Sequence, residues 1–562
     1  MAQSTWKKGL AVVASITAVG ALLAGCGTTT PNPSTTSGNS SAAGKPVEGG
    51  NIVLDSVANF RDLDPALNYD TTSNELVSEM YDTLVTYKGA SSNIVPALAQ
   101  SWDVSADGKT YTFHLRHGVT FWNGDKMTAQ SFIDEFERVL NPQVASPAET
   151  FIDPVIAGST AYNKGAAKTV SGLSAPNPYT LVIQLTKPEP FFLDVLAMPF
   201  FSAVDQAFID KVGNRAFDST QAMGTGPFEL KSITTNQVVL TKNPHYWQKD
   251  ASGNSLPYLN QVTIRINKNA EVDAMDFQQG QTALMGNLIG IPSSVYPQFS
   301  HDPTMSKLIV KAPENAVQYL GVNASMAPFT NVKVRQAVEY AIDKQKILQL
   351  LNNRGQIANQ PLPPGIEGYM KNLPTSATYS YNVAKAKQLL SEAGFPNGFT
   401  TTLYTANDPD SLKIAGSVQN DLAQVGIKAN IQQSDWNTFL DIEEKGKANL
   451  FLSGWMQDFP DASDFLNTLF NTNQQPANNV FMYSNSKVDS WLNQAQTDVN
   501  LAQRTALYHQ VTTQVMQDAP MVPLYYPVQY SAVQSWVHGY YISPTLPDPL
   551  QYMWIDAGHS QA

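Results

Sequence analysis

Cysteine occurs once in the chain of 562 residues, at Cys26. A single thiol excludes a disulfide framework, a cysteine-ligated zinc site and a catalytic thiol pair. Histidine is nearly as scarce, with seven residues scattered along the chain. His114 and His117 come closest to a pair, but on a strand they point to opposite faces, so a shared metal is not expected. Charged residues make up only 15%, and acids outnumber bases by 47 to 35, for a net charge of −12. That balance argues against nucleic acid as a partner, since phosphate binding needs clustered Lys and Arg. Also missing are a Walker loop, HExxH, GxSxG and a calcium loop. Gly224-Thr225-Gly226-Pro227 faintly suggests a phosphate cradle. Pro227 lacks a backbone donor, however, and no Gly-Lys-Ser/Thr follows. No catalytic residue, metal or cofactor is assigned, and an enzyme is not expected.

What is present divides the chain. Apolar residues make up 43%, and the length exceeds one hydrophobic core, so two or three domains are expected. Residues 1–25 read as a targeting signal: Lys7-Lys8, then an apolar run from Gly9 to Leu23 too short to span a bilayer comfortably. The run ends in Leu23-Ala24-Gly25-Cys26. Small residues before a cysteine are what a lipoprotein signal peptidase accepts, leaving Cys26 as a lipid-bearing N-terminus. Removal of residues 1–25 takes the net charge to about −14. Residues 26–50, rich in Gly, Ser, Thr and Pro, cannot bury a core and read as a flexible tether. No later stretch is long and apolar enough to be a transmembrane helix. The expected location is extracytoplasmic, anchored by lipid on Cys26 to the membrane of a Gram-positive cell surface.

Periodicity predicts a strand at Asn51-Ile52-Val53-Leu54 and an amphipathic helix over 72–86. A hairpin is expected across Asp107-Gly108, with Tyr111, Phe113 and Leu115 alternating. Thr128 is placed to cap a helix running to Asn141-Pro142. Strands are expected near 226–231, 236–242 and 261–267, then helices at 270–279 and, as one long element, 331–351. Helices at 382–393 and 409–424 each stop at a glycine, Gly394 and Gly426, and strands follow at 399–405 and 427–433. The region 315–520 therefore alternates strand and helix, the pattern of an α/β domain.

The stretch GWMQDFPDASDF, residues 454–465, sets three aspartates among aromatic residues. Acids are costly beside apolar surface unless something meets them. Asp461 is placed to cap a helix carrying Phe465, Leu466, Leu469 and Phe470, with Asp464 in its first turn, where negative charge is favoured. Asp458 has no such local use. A carboxylate pair of Asp458 with Glu443 or Glu444 would suit a hydrolase, but no recognised catalytic constellation surrounds it.

Several ordered blocks resemble the oligopeptide- and dipeptide-binding proteins of ABC importers, the extracytoplasmic solute-binding proteins of family 5. They are LAQSWDVSADGKTYTFHLRHGVTFWNGDKMTAQSF at 98–132, GTGPFEL at 224–230, YLGVN at 319–323, VRQAVEYAIDKQKI at 334–347 and GWMQDFPDASDFL at 454–466. The resemblance runs from about residue 50 to 556 and implies a large two-lobed α/β fold of the type II periplasmic-binding-protein kind, with an additional inserted domain. Lobe I would comprise 51–87, 206–311 and 526–562, the insertion 88–205, and lobe II 312–525. The implied function is capture of short peptides between the lobes, by a monomer, for delivery to ABC permease subunits in the membrane. Relatives on this scaffold bind oligosaccharides, metal chelates, haem or pheromones, and the fold does not choose between these ligands. Carried over by position, Asp458, three residues after Trp455, would pair with the ligand's α-ammonium. The backbone of Gly454, Trp455 and Met456 would add to an extended peptide, and Tyr319 and Asn323 would face the ligand from a lobe edge. Arg335, Lys346 and Arg354 are cations available for a ligand carboxylate.

Overall fold

Alternation of apolar and polar residues lays down three larger sheets in the computed structural model, which describes residues 44–56, 59–267, 269–286 and 290–561. Cys26, the expected signal and the expected tether up to residue 43 lie outside the described residues, and the end of that tether is docked rather than free: Gly49 N donates to Tyr258 O, Gly50 O accepts from Asn260 N and Glu48 pairs with Lys242. Asn51–Ser56 runs parallel to Gln261–Ile266, and Gln237–Lys242 and Phe228–Ile233 continue that sheet antiparallel. Ile52, Leu54, Val238, Leu240, Val262 and Ile264 are buried on one core with helix Thr71–Met80.

A second four-stranded antiparallel sheet falls within the expected insertion. Its order is Ala99–Val104, Thr110–Leu115, Thr180–Gln184 and Leu173–Asn177. The expected hairpin is there, with Gly108 in the left-handed conformation at φ +68°. Helix Ala129–Leu140 begins after Thr128 and buries Phe132, Phe136 and Val139 against this sheet.

The third sheet has eight strands. Its main path runs Leu284–Met285, Met521–Val533, Ala316–Val322, Leu450–Met456, Phe399–Ala406 and Ile427–Ser434. Period two divides its side chains between two cores. Val317, Tyr319 and Phe451 face helices Ala462–Phe470, Ser486–Ala495 and Leu501–Asp518. Leu320, Val322, Leu450 and Leu452 face helices Val332–Ala341, Val383–Glu392 and Pro409–Gln424. Each such side chain contributes about 1.5–3 kcal/mol by leaving water. Gly394 and Gly426 have φ of +91° and +88°, as their helix-terminating places require.

Met521–Val533 joins two parts of the molecule. Its first residues pair with Ala316–Val322, while its last pair with Ile309–Pro313 and Leu284–Met285. Of the expected division points, 525/526 lies within this strand and 311/312 within Ile309–Pro313, which pairs with it.

Two expected helices are corrected. The first ends at Met80, not near 86, because Tyr81 is extended and Val85–Tyr87 is a strand. The cause lies far along the chain. Gly226 N donates to Met80 O at 3.0 Å, and a Cβ on Gly224 would lie 1.9 Å from that oxygen. Gly224-Thr225-Gly226 therefore clasps a helix end and is no phosphate cradle. The helix expected over 331–351 is two, Val332–Ala341 and Lys344–Leu350, since Asp343 caps the second by accepting from Lys346 N at 3.1 Å.

Candidate functional site

Leu450–Met456 carries the first half of the site. It runs antiparallel to Ala316–Val322, with Gly454 opposite Gln318 and Trp455 opposite Val317. Gln457 N donates to Asn315 O and Asn323 N to Asn449 O, so the odd-numbered residues of the strand are the ones bonded to that partner. Antiparallel alternation then turns the N–H and C=O of Gly454 and Met456 to the opposite side. There the parallel neighbour Phe399–Ala406 pairs only with Leu450 and Phe451. Among the described strands none covers the edge beyond Phe451. An open main-chain edge thus lies at the carboxyl ends of three parallel strands, where open α/β sheets place their ligands. Met456 and Trp436 stand at these strand ends and are more than half exposed, at 55% and 53%. Gly454 leaves room for the Gln318 amide, which would come within 2.4 Å of a Cβ at that position.

The loop after the strand divides the three aspartates. Asp461 caps helix Ala462–Phe470 through Ser463 N at 2.8 Å and pairs with Arg504. Asp464 is 2% exposed, and its Oδ2 accepts from both Trp455 Nε1 and Asp458 N, each at 3.1 Å. It does more than favour a helix end: it ties the helix to the strand and the loop. Asp458 is half-buried and accepts from the Tyr69 hydroxyl at 2.9 Å. Burial pushes the Asp458 carboxyl up to about 6, against the opposing hydrogen bond from Tyr69. Burial, then the Asp458 charge, pushes Asp464 well above the usual carboxylate range.

Across the loop stand residues from the first two sheets' side. Phe459 is buried in their core, stacked on Phe191 at 5.1 Å and edge-on to Phe151 at 6.4 Å. Tyr69 stacks on Phe200 at 5.8 Å, and Gln457 Nε2 donates to Pro544 O at 2.7 Å. The residues after the open edge thus form a bridge between two parts of the molecule.

The remaining expected site residues divide as well. Trp455 lies over the core with its indole N–H on Asp464. Tyr319 and Asn323 do not come to the edge. Tyr319 is buried among Phe451 and Phe481, and Asn323 is fully buried, bonded to Gly446 O and to Ser325. Their alternation places them on the interior, so this is a correction to the reading of YLGVN. Glu443 is buried and accepts from Ser453 Oγ at 3.2 Å. Arg335 donates to Asp518 O and Phe329 O, and Lys346 pairs with Asp421. Arg354 lies over the rings of Tyr296 and Tyr530 at 5.2 and 5.6 Å. Tyr69 and Phe459 were missed: a tyrosine before a helix and a phenylalanine in an aromatic-rich loop carry no local mark of a long-range partner.

A cavity of about 300 Å³ lies among Tyr87, Tyr246, Trp247, Tyr541 and Tyr552, with none of its lining drawn from 312–525. Its Asp82 already accepts from Trp247 Nε1, Thr225 Oγ1 and Tyr246 Oη at 2.8–3.1 Å. The open edge, with main-chain groups still to be paired, is the better candidate.

Residues 93–477 match the model of the bacterial extracellular solute-binding proteins, family 5. Haem-binding protein A of Haemophilus influenzae is 31% identical over 500 residues, covering 85% of this chain and 88% of the relative. Periplasmic oligopeptide-binding protein OppA of Salmonella typhimurium is 28% identical, with 82% and 83% covered. Among solved structures, the periplasmic binding protein DppA of Helicobacter pylori, in complex with the peptide STSA, superposes with a TM-score of 0.74 at 29% identity. That match covers 91% of this chain and 98% of the other.

Proposed function

The chain belongs to the extracellular solute-binding proteins of family 5, and from that premise we propose that it captures short peptides and delivers them to an ABC-type importer. The observation that carries this is the open edge at Gly454 and Met456 ending beside Asp458. Main-chain pairing grips any extended peptide without reading its sequence. Asp458 then meets the one charge that every free peptide presents at its start, the α-ammonium. Peptide-binding proteins of Salmonella typhimurium and Helicobacter pylori among the relatives support the ligand class.

Capture works as closure of two lobes, 51–87 with 206–311 and 526–562 against 312–525, with 88–205 appended to the first. Met521–Val533 is the crossing about which they turn, and the packing of Phe459 on Phe191 and Phe151 and the Tyr69–Asp458 hydrogen bond exist only when they meet. A ligand that adds contacts in the closed state shifts the population towards it. Lipid on Cys26 would hold the monomer at the membrane.

Calorimetry with free and N-acetylated short peptides tests the reading. Losing one partner of a desolvated ion pair costs about 2–5 kcal/mol, so acetylated peptides and Asp458→Ala should each bind at least tenfold more weakly. Equal affinity for both peptides would refute the role of Asp458. The likeness to haem-binding protein A supports a second reading, capture of haem. A stoichiometric Soret shift on adding haemin, without peptide binding, would favour it.

A further inference from the structure

Asp464 belongs to no cap, since Asp461 already fills that role for the helix. Its carboxyl is nonetheless buried, an arrangement that costs free energy unless its acceptors are used. They are used on two functional neighbours at once: Oδ2 takes the Trp455 indole N–H and the Asp458 backbone N–H, both at 3.1 Å. The two donors sit on either side of the strand end, one on the edge strand and one in the loop. A single oxygen therefore ties the backbone from which the Asp458 side chain springs to the Trp455 side chain packed over the core.

Resting on the peptide reading above, we infer that Asp464 is a positioning residue for ammonium recognition: it aims the Asp458 carboxylate through the Asp458 backbone N–H, without touching the ligand. The groups around it fit a rigid mount. Tyr69 donates to Asp458 from across the loop, and Arg504 neutralises Asp461 beside it. Tyr87 bonds Asp194 on the facing element, and Lys187 lies 3.8 Å from Glu189. Asp464 alone among the loop's acids is committed to the geometry of Asp458.

The test compares a tripeptide library with its N-acetylated counterpart, read by native mass spectrometry and calorimetry on the full chain. Wild type is expected to prefer free peptides at least tenfold. Asp464→Asn keeps an oxygen acceptor for both donors and should keep that preference within threefold. Asp464→Ala removes the acceptor and should reduce the preference to less than threefold, while residual affinity for acetylated peptides stays as in wild type. A general folding defect would instead lower both affinities together. Should the alanine variant prove too unstable, Asp464→Thr, too short to reach both donors, takes its place. The positioning role is overturned if Asp464→Ala keeps the tenfold preference, or if Asp464→Asn loses it as fully as alanine. If wild type shows no preference, the Asp458 assignment itself fails, which is a separate and recognisable outcome.

Discussion

Replacing Phe459 by alanine separates the energy of closing from the energy of folding. The ring is 6% exposed and packs on Phe191 and Phe151, yet it is attached to the loop that follows the open edge. In an ordinary core, Phe→Ala costs about 3–5 kcal/mol of stability. Under the closure proposed above, the ring leaves its pocket when the lobes separate, so the loss is expected to fall on the closed state. Burial of such a side chain contributes about 1.5–3 kcal/mol, and ring stacking adds about 0.5–1.5 kcal/mol. Allowing for incomplete burial in the open state, closure should weaken by about 2–3 kcal/mol, which lowers peptide affinity about 30- to 150-fold. Calorimetry gives the affinity, and small-angle scattering gives the fraction that compacts on adding peptide. The melting temperature without ligand should move little. The reasoning is refuted if melting falls by many degrees while affinity holds, because Phe459 would then be a fixed core residue rather than a contact made on closing.

Other expectations follow from single features. Affinity for free peptides should fall as pH drops below about 6, because Asp458 must be ionised to meet an ammonium and its carboxyl titrates near that value; titrations at pH 5 to 8 read the slope. Stability should move the opposite way. Burial raises Glu189, Asp194 and Asp273 to about 7, and Glu135 and Glu443 to about 8. The folded chain holds these protons more firmly than the unfolded one, so the stability they contribute is complete only below the ordinary carboxyl range near pH 4 and is lost progressively as pH rises to 7 and 8. Thermal melts at pH 5.5 and 8.5 should show the higher transition at pH 5.5. Gly224→Ala forces a Cβ against Met80 O and should cost about 1–3 kcal/mol in denaturant unfolding, with little effect on peptide affinity. Asp461→Ala removes both a helix cap and the partner of buried Arg504, and a loss of about 3–5 kcal/mol is expected.

Local patterns were legible wherever a single element carries its own reason. The Asp107-Gly108 hairpin, the helices stopped by Gly394 and Gly426, and the Asp461 cap could all be read because their partners lie within a few residues. Reading failed where the deciding atom is distant in the chain. The helix after Thr71 stops at Met80 because Gly224 and Gly226 pack on its end, and nothing between 72 and 86 reveals them.

The site divides along the same line. Spacing left Asp458 as the one aspartate of its stretch without a local use, and the resemblance to family 5 implied a ligand role for it and for the strand at 454–456. It also brought out Tyr319 and Asn323, whose block resembles one at a lobe edge but whose side chains are interior. Only the tertiary structure set Tyr69 against Asp458, seated Phe459 among aromatics more than 250 residues away, and bonded Asp464 to both Trp455 and Asp458. Chain-local chemistry is written in spacing, which a sequence displays. Contacts across sheets depend on register and on which edge is left open, and these exist only once the strands have paired.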